Sequence, residues 1–509
     1  MAENTSSCCA VPLKNVSFES GFWHARRETN CTATLPAIYH QSRKTGCFDA
    51  WKLDWKPGQP NKPHYFWDSD AAKWIEAVAY SLATHPDPTI EHQVDEVVDL
   101  IAQAQQPDGY LNIVFTAILP EQRWRNVRER HELYCAGHLI EASVAYYQAT
   151  GKRKLLDVLC RYADHIDAVF GPGEDQKRGY PGHQEIELAL VKLYHATGEE
   201  RYLNLAKFFI DERGQQPHFY DLEMRERGES WEDYWAQTYR YTQSHLPVRE
   251  QTEPVGHAVR ACYMYAGMAD VALETNDESL TKALRILWDR LTERQMYITG
   301  GIGPSPVNEG FTFDYDLPNE IAYAETCASI ALVFWAHRMF HLDGESRYID
   351  VMEQALYNGV LSGVAFDGQS FFYANPLETS PHSNPHDPRV SQIDPDSHVA
   401  EDSQTLQAAL DQRCAVILSR PQPCGTDVVE LRFDLVQRSA LPVALHIAST
   451  LMQKISVVPA VTLMGAVCFS RQHEVVAGKL PDQLVDIVAP GGQFAAQKGL
   501  VEQAFERVQ

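Results

Sequence analysis

From about residue 70 to residue 362 the chain repeats one pattern of apolar and polar positions. The segment from His131 to Thr150, HELYCAGHLIEASVAYYQAT, places apolar residues at i, i+3, i+4 and i+7 and stops at Gly151, which predicts a helix. A short polar turn follows, and then a helix that opens with charged residues. The same unit recurs around the turns ATHPDP (83–88), ATGKRK (149–154), ATGEER (196–201), ETNDES (274–279) and LDGESR (342–347). The spacing between turns is uneven, which excludes a strict solenoid array. Helical hairpins joined by long, variable loops predict an all-α fold, a toroidal α/α barrel. In such a fold one ring of helices packs inside another, and the loops between hairpins build a hollow at one end.

The texture changes near residue 374. All 23 Tyr and all 10 Trp fall within residues 1–373, and residues 374–509 hold none. The later part is polar and Pro-containing at first, then carries Val/Ala/Leu/Gln segments with weak strand-like alternation, such as DVVELRFDLV. We therefore divide the chain into a helical barrel, 1–378, and a divergent C-terminal region, 379–509. For the latter a small β-rich appendage, a disordered tail and the product of an altered reading frame all stay open.

Composition changes the picture only a little. The chain has 509 residues, 44% hydrophobic and 22% charged, with a formal net charge of −24. That much negative charge repels phosphates and argues against nucleic acid or an anionic membrane surface as partner. It suits a small neutral carbohydrate or glycoside. No apolar run is long enough to span a membrane, and the first residues lack the basic-then-apolar order of a signal peptide. Eleven cysteines, scattered and odd in number, fit no disulfide framework. Cys135, Cys160 and Cys262 sit in apolar helical patterns and read as small buried hydrophobes. A reducing, cytoplasmic setting is expected, where the sequons at Asn15 and Asn30 carry no glycan. A homodimer is compatible with the sequence but not specified by it.

Candidate chemistry is densest between Gly300 and Ser329, GGIGPSPVNEGFTFDYDLPNEIAYAETCAS. Glu309 lies in a Gly/Pro-rich loop, from which a carboxyl can project into a cavity. Glu325 and Cys327 lie together near the start of an apolar helix; a carboxylate and a thiolate two residues apart can share one Zn²⁺. The plainer alternative is a Glu favouring a helix N-terminus beside a buried Cys. His131, His183 and His257 each precede or open a helix, where barrel loops meet the hollow. Taken alone, each reads equally as a structural hydrogen-bonder. Tyr373 and Glu353 have no distinguishing pattern of their own.

These strings, in this order, resemble glycoside hydrolase family 127. The matching stretches are VSFESGFWHARR, FWDSDAAKWIEA, AQQPDGYL, RHELYCAGHLIEA, GHQEIELALVKLY, GHAVRACYMYAGMADVA, YITGGIG, DYDLPNEIAYAETCAS and FFYANPLE. The resemblance runs from about residue 12 to about 378. It implies an (α/α)6 six-hairpin barrel and a retaining exo-glycosidase acting on β-L-arabinofuranosides or related furanosides. It also implies roles: Glu309 as general acid/base with a carboxyl pKa raised by partial burial, and Glu325 and Cys327 as two ligands of a zinc ion. His131, His183, His257, Glu353 and Tyr373 become sugar-binding residues.

One part of the family pattern is absent. The family's nucleophile is a cysteine of a Cys-Cys pair in a CCPPN-like motif, whose two thiolates also complete the zinc site. This chain has no Cys-Cys pair after residue 9 and reads ETSPHSNPHDPRVSQ where the motif is expected. Cys414, Cys424, His382, His386 and His398 offer the right atom types without the matching context. A sugar-binding pocket without hydrolysis, or one reused to tailor a small metabolite, is the alternative.

Overall fold

In the computed structural model, residues 12–369 and 372–378 are described. The expectations for 379–509, including those for Cys414, Cys424, His382, His386 and His398, lie outside the described residues. Helix α1 (Gly21–Thr29) runs through a π-helical turn, Asn30–Thr34, into α2 (Leu35–Thr45). There follow α3 (Trp67–Leu82), α4 (Pro88–Ala104), the single turn α5 (Val114–Ala117), α6 (Glu132–Thr150), α7 (Lys154–Val169), α8 (Ile186–Thr197) and α9 (Glu200–Glu212). The series ends with α10 (Phe219–Arg227), α11 (Ala258–Thr275), α12 (Glu278–Arg294), α13 (Thr326–Asp343) and α14 (Ser346–Ala355). Among the described residues there is no strand, only isolated bridges.

Burial sorts the helices into two rings. In α6 every residue from Glu132 to Tyr146 is buried, and α3, α8, α11 and α13 are buried nearly all round. A helix apolar on every side needs neighbours on every side. These five pack in the order α3, α6, α8, α11, α13 as successive inner staves. Their partners α4, α7, α9, α12 and α14 each bury a single stripe, Leu155, Leu156, Leu159, Tyr162, Ala163 and Ile166 in α7 for example, and show water the rest. This is the all-α toroid expected, with five of the six inner helices of an (α/α)6 barrel among the described residues. One continuous hydrophobic core joins the rings.

Local signals set the hairpin turns. Gly151, Gly198 and Gly344 take left-handed conformations immediately after α6, α8 and α13, and Asn276 does so after α11. Asp87 and Asp277 cap α4 and α12, accepting hydrogen bonds from two backbone amides each. Six cysteines are described and all are free thiols; Cys135 and Cys262 are buried as expected, whereas Cys160 is only half-buried on an outer helix. No helix among the described residues is long and apolar enough to cross a membrane.

Candidate active site

Each inner helix begins at the same end of the barrel, and the expected site residues gather there. His131 is the N-cap of α6, His257 of α11 and Glu325 of α13, while His183 lies three residues before α8. Two glycines let the loops meet. A Cβ on Gly182 would fall 1.6 Å from the carbonyl oxygen of Arg128, and one on Gly310 would fall 1.8 Å from that of Gly256. Only a hydrogen fits at either place. The second contact pairs His257 with Gly310 in an antiparallel bridge, in which Ala258 N donates to Glu309 O at 3.1 Å and Phe311 N to Gly256 O at 2.9 Å. This lays the Glu309 loop across the start of α11. Glu309 (φ 49°) and His131 (φ 59°) both occupy the left-handed region, a cost of order 1 kcal/mol each that the surrounding packing sustains.

Glu309 is held at both oxygens. Its Oε2 lies 2.8 Å from His257 Nε2, and its Oε1 accepts a hydrogen bond from the Tyr323 hydroxyl at 3.2 Å. The far side of the imidazole fixes the tautomer. His257 Nδ1 accepts from the backbone amides of Val259 (3.2 Å) and Arg260 (3.5 Å), so it carries no proton, and Nε2–H is left to donate to Glu309. Burial lowers the His257 pKa, which keeps the ring neutral. For Glu309, burial pushes upward. The hydrogen bond from His257, the Arg260 guanidinium and the Tyr323 hydroxyl outweigh it and hold the carboxyl below its usual range. The expected raised pKa is thus overturned: the free site holds a carboxylate, because two donors converge on a half-buried acid that sequence shows only as a loop residue.

The histidines form a row. Ring centroids are 5.9 Å apart for His131 and His183 and 5.6 Å for His183 and His257. Burial, then the charge of Arg260, lower the His183 pKa well below its usual value, so His183, like His257, faces a ligand as a neutral hydrogen-bonding group. Tyr134 packs 4.4 Å from His183, and Lys73, wholly buried, donates to its hydroxyl at 2.9 Å. Tyr134, Lys73, Tyr323 and Arg260 were not singled out by sequence. They lie inside recognisable motifs, but nothing in their spacing distinguishes them from core residues.

A second string of groups leads away from Glu309. The Tyr323 and Tyr373 rings are 5.8 Å apart, and Tyr373 and Cys327 both interact with the Glu325 carboxyl. The amide of Thr326 donates to the Tyr373 carbonyl at 2.9 Å, tying the Tyr373 segment to the start of α13. Glu325 is buried, with Oε2 lacking a hydrogen-bond partner; burial first, and the Glu309 charge second, raise its pKa to about 8. An orphaned carboxylate oxygen beside a thiol fits a Zn²⁺ ion in kind, but these residues supply two ligands where such sites use three or four. Glu353 is not brought into the group. It is exposed on the outer helix α14, whose buried stripe, Tyr348, Met352 and Ala355, turns position 353 away from the core. Deeper in the barrel His138 Nδ1 lies 3.0 Å from Glu185 Oε1 and 3.8 Å from Glu141 Oε2. Lys192 pairs with Glu141 there, a counter-charge that makes this an internal ion-pair network.

A helical toroid with a half-buried carboxylate, a row of histidines and flanking tyrosines at its loop end is the architecture of a six-hairpin, carbohydrate-active barrel. The pattern described as "Beta-L-arabinofuranosidase, GH127 catalytic domain" matches residues 15–401, and the chain belongs to that family. It is 44% identical over 322 residues to a non-reducing end β-L-arabinofuranosidase of Bifidobacterium longum subsp. longum, a match covering 62% of this chain and 49% of that protein. The crystal structure of a GH127 β-L-arabinofuranosidase from Geobacillus stearothermophilus T6 superposes with a TM-score of 0.72 at 48% identity, over 78% of this chain and 65% of that one. A further GH127 β-arabinofuranosidase structure gives 0.66 at 42% identity, over 72% and 57%. The chain therefore spans about half the length of the curated relative it matches.

Proposed function

We propose that this chain hydrolyses non-reducing-end β-L-arabinofuranosides with retention, using Glu309 as general acid/base. The observation that carries the reading is the Glu309 carboxylate held by His257 and Tyr323 beside the row His131, His183 and His257. Family membership supports the sugar class. Retention requires one group to protonate the leaving oxygen and then take a proton from water. It also requires a nucleophile that bonds to the anomeric carbon as the leaving group departs and is displaced by that water; here the nucleophile would have to come from residues 379–509. The neutral His257 Nε2–H and the Tyr323 hydroxyl fix both Glu309 oxygens, so that the proton sits on a carboxyl of set direction. Delivery to the leaving oxygen requires the Glu309–His257 pair to gain one proton first. The histidine row and Tyr373 would bind the furanose hydroxyls. Glu325 and Cys327 would hold a zinc ion, which when bound keeps a coordinated thiol ionised. The six free thiols among the described residues support a reducing, cytoplasmic setting.

A sugar-binding role without hydrolysis is the second reading, favoured by the absence of a Cys-Cys pair after residue 9. Turnover of an aryl β-L-arabinofuranoside separates the two. On the first reading the protein cleaves it and Glu309→Gln lowers kcat by about 10²–10⁴-fold. Binding of L-arabinose with no cleavage upholds the second reading. Metal analysis addresses the zinc. About one ion per chain, lost on Cys327→Ser, means that residues 379–509 complete the site; a metal content unchanged by that substitution removes Cys327 as a ligand.

A further inference from the structure

The loop between α10 and α11 carries five aromatic residues in eleven positions, Trp231, Tyr234, Trp235, Tyr239 and Tyr241 among them. Four are buried or half-buried and hold the loop down. Tyr234 lies under the Arg128 guanidinium at 3.8 Å, Trp231 packs on Tyr239 at 4.6 Å, and Tyr241 lies under Arg260 at 4.6 Å. Both flanks are also pinned by hydrogen bonds. Ser230 and Asp233 form a capping box, and Thr238 caps the turn Tyr239–Thr242. Trp235 stands between these anchors and is 58% exposed. A solvated indole on a loop so fixed has not been left outside by slackness.

Its place relative to Glu309 gives it a use. Going outward, Tyr241 stands edge-on to His257 at 5.8 Å, and Trp235 edge-on to Tyr241 at 4.6 Å. His257 is the residue that holds Glu309, so Trp235 stands in solvent two ring contacts from the partner of the acid/base. A general acid lies next to the oxygen it protonates, and whatever is attached to that oxygen extends from the pocket past it. We propose that Trp235 is a stacking platform for a second sugar ring, the leaving group of the glycoside, so that the site favours disaccharide-type substrates over glycosides of simple alcohols. Sugar rings present C–H faces that pack on an aromatic surface, and an indole offers the widest one at low entropy cost. This rests on the glycosidase reading above.

The test compares methyl β-L-arabinofuranoside, whose leaving group has no ring, with a β-L-arabinofuranosyl-L-arabinose disaccharide. The wild type is expected to show the higher kcat/KM on the disaccharide. Trp235→Ala should cut the ratio of the two values about tenfold, and Trp235→Phe should recover part of it. A ratio unchanged by Trp235→Ala overturns the platform, whether both activities fall together or neither moves. Wild-type protein that cleaves neither glycoside refutes the glycosidase reading alone. Calorimetry with the intact disaccharide and with L-arabinose then decides on Trp235. Disaccharide affinity lost selectively in Trp235→Ala upholds the platform; equal losses, or no disaccharide binding by the wild type, overturn it.

Discussion

The Glu309–His257 pair condenses the site's acid–base behaviour into one hydrogen bond. Because the imidazole is both the N-cap of α11 and the donor to Glu309, two roles can be parted by substitution. His257→Ala should remove the cap, at a cost of about 1 kcal/mol in unfolding free energy, and should also let the Glu309 pKa rise. His257→Asn should keep the cap, because Asn is a good N-cap residue, while still releasing Glu309. Activity that needs a proton on the pair falls as pH rises, and both variants should move that falling limb of kcat/KM to higher pH. Denaturant titration and pH–rate profiles check the two halves separately. At this scale the sequence pointed to Glu309 and His257 through their positions at loop and helix start. It gave no sign of Tyr323 or of the carboxyl's lowered pKa, since both arise where the chain folds back on itself.

Helix starts, turns and crossing loops decide where those residues end up. The hairpin pattern was readable because inner and outer helices differ in how many faces they bury, and because Gly and Asp mark their ends. The crossing at Gly256 and Gly310 was not readable, since the two glycines are far apart in sequence and meet only in the folded barrel. Gly310→Ala places a methyl against the Gly256 carbonyl and should shift the Glu309 loop. A displacement of about 1 Å there costs about 100-fold in kcat/KM. Gly151→Ala is the matched control: it meets no atom within 4 Å, and its φ of +75° costs about 1 kcal/mol of stability without touching the site. Glu353 failed as a site residue for an element-level reason, since its side of α14 faces water.

Across the whole molecule, buried acids set how stability responds to pH. Burial raises the pKa of Asp68 to about 7 and that of Glu132 to about 8, the latter although Tyr110 donates to it at 2.6 Å. Their folded-state pKa values lie above the unfolded ones, so the folded protein holds more protons in between. The stability this provides is complete below about pH 4 and drains away as pH climbs toward 8. Buried histidines such as His183 and His257, with lowered pKa values, act oppositely below about pH 6.5. Above it the melting temperature should fall toward pH 8.5, and Glu132→Gln should flatten that slope, whereas a melting temperature rising over this upper range would contradict the assignment. The barrel's two ends are also unlike. His131, His183, His257, Glu309 and Glu325 belong to the end where inner helices begin, whereas the turns at Gly151, Gly198 and Gly344 close the hairpins at the other. That far end is an attachment face: a tag, a fluorophore or a surface linker spliced in at Gly198 can tether the protein while its mouth stays free to feed.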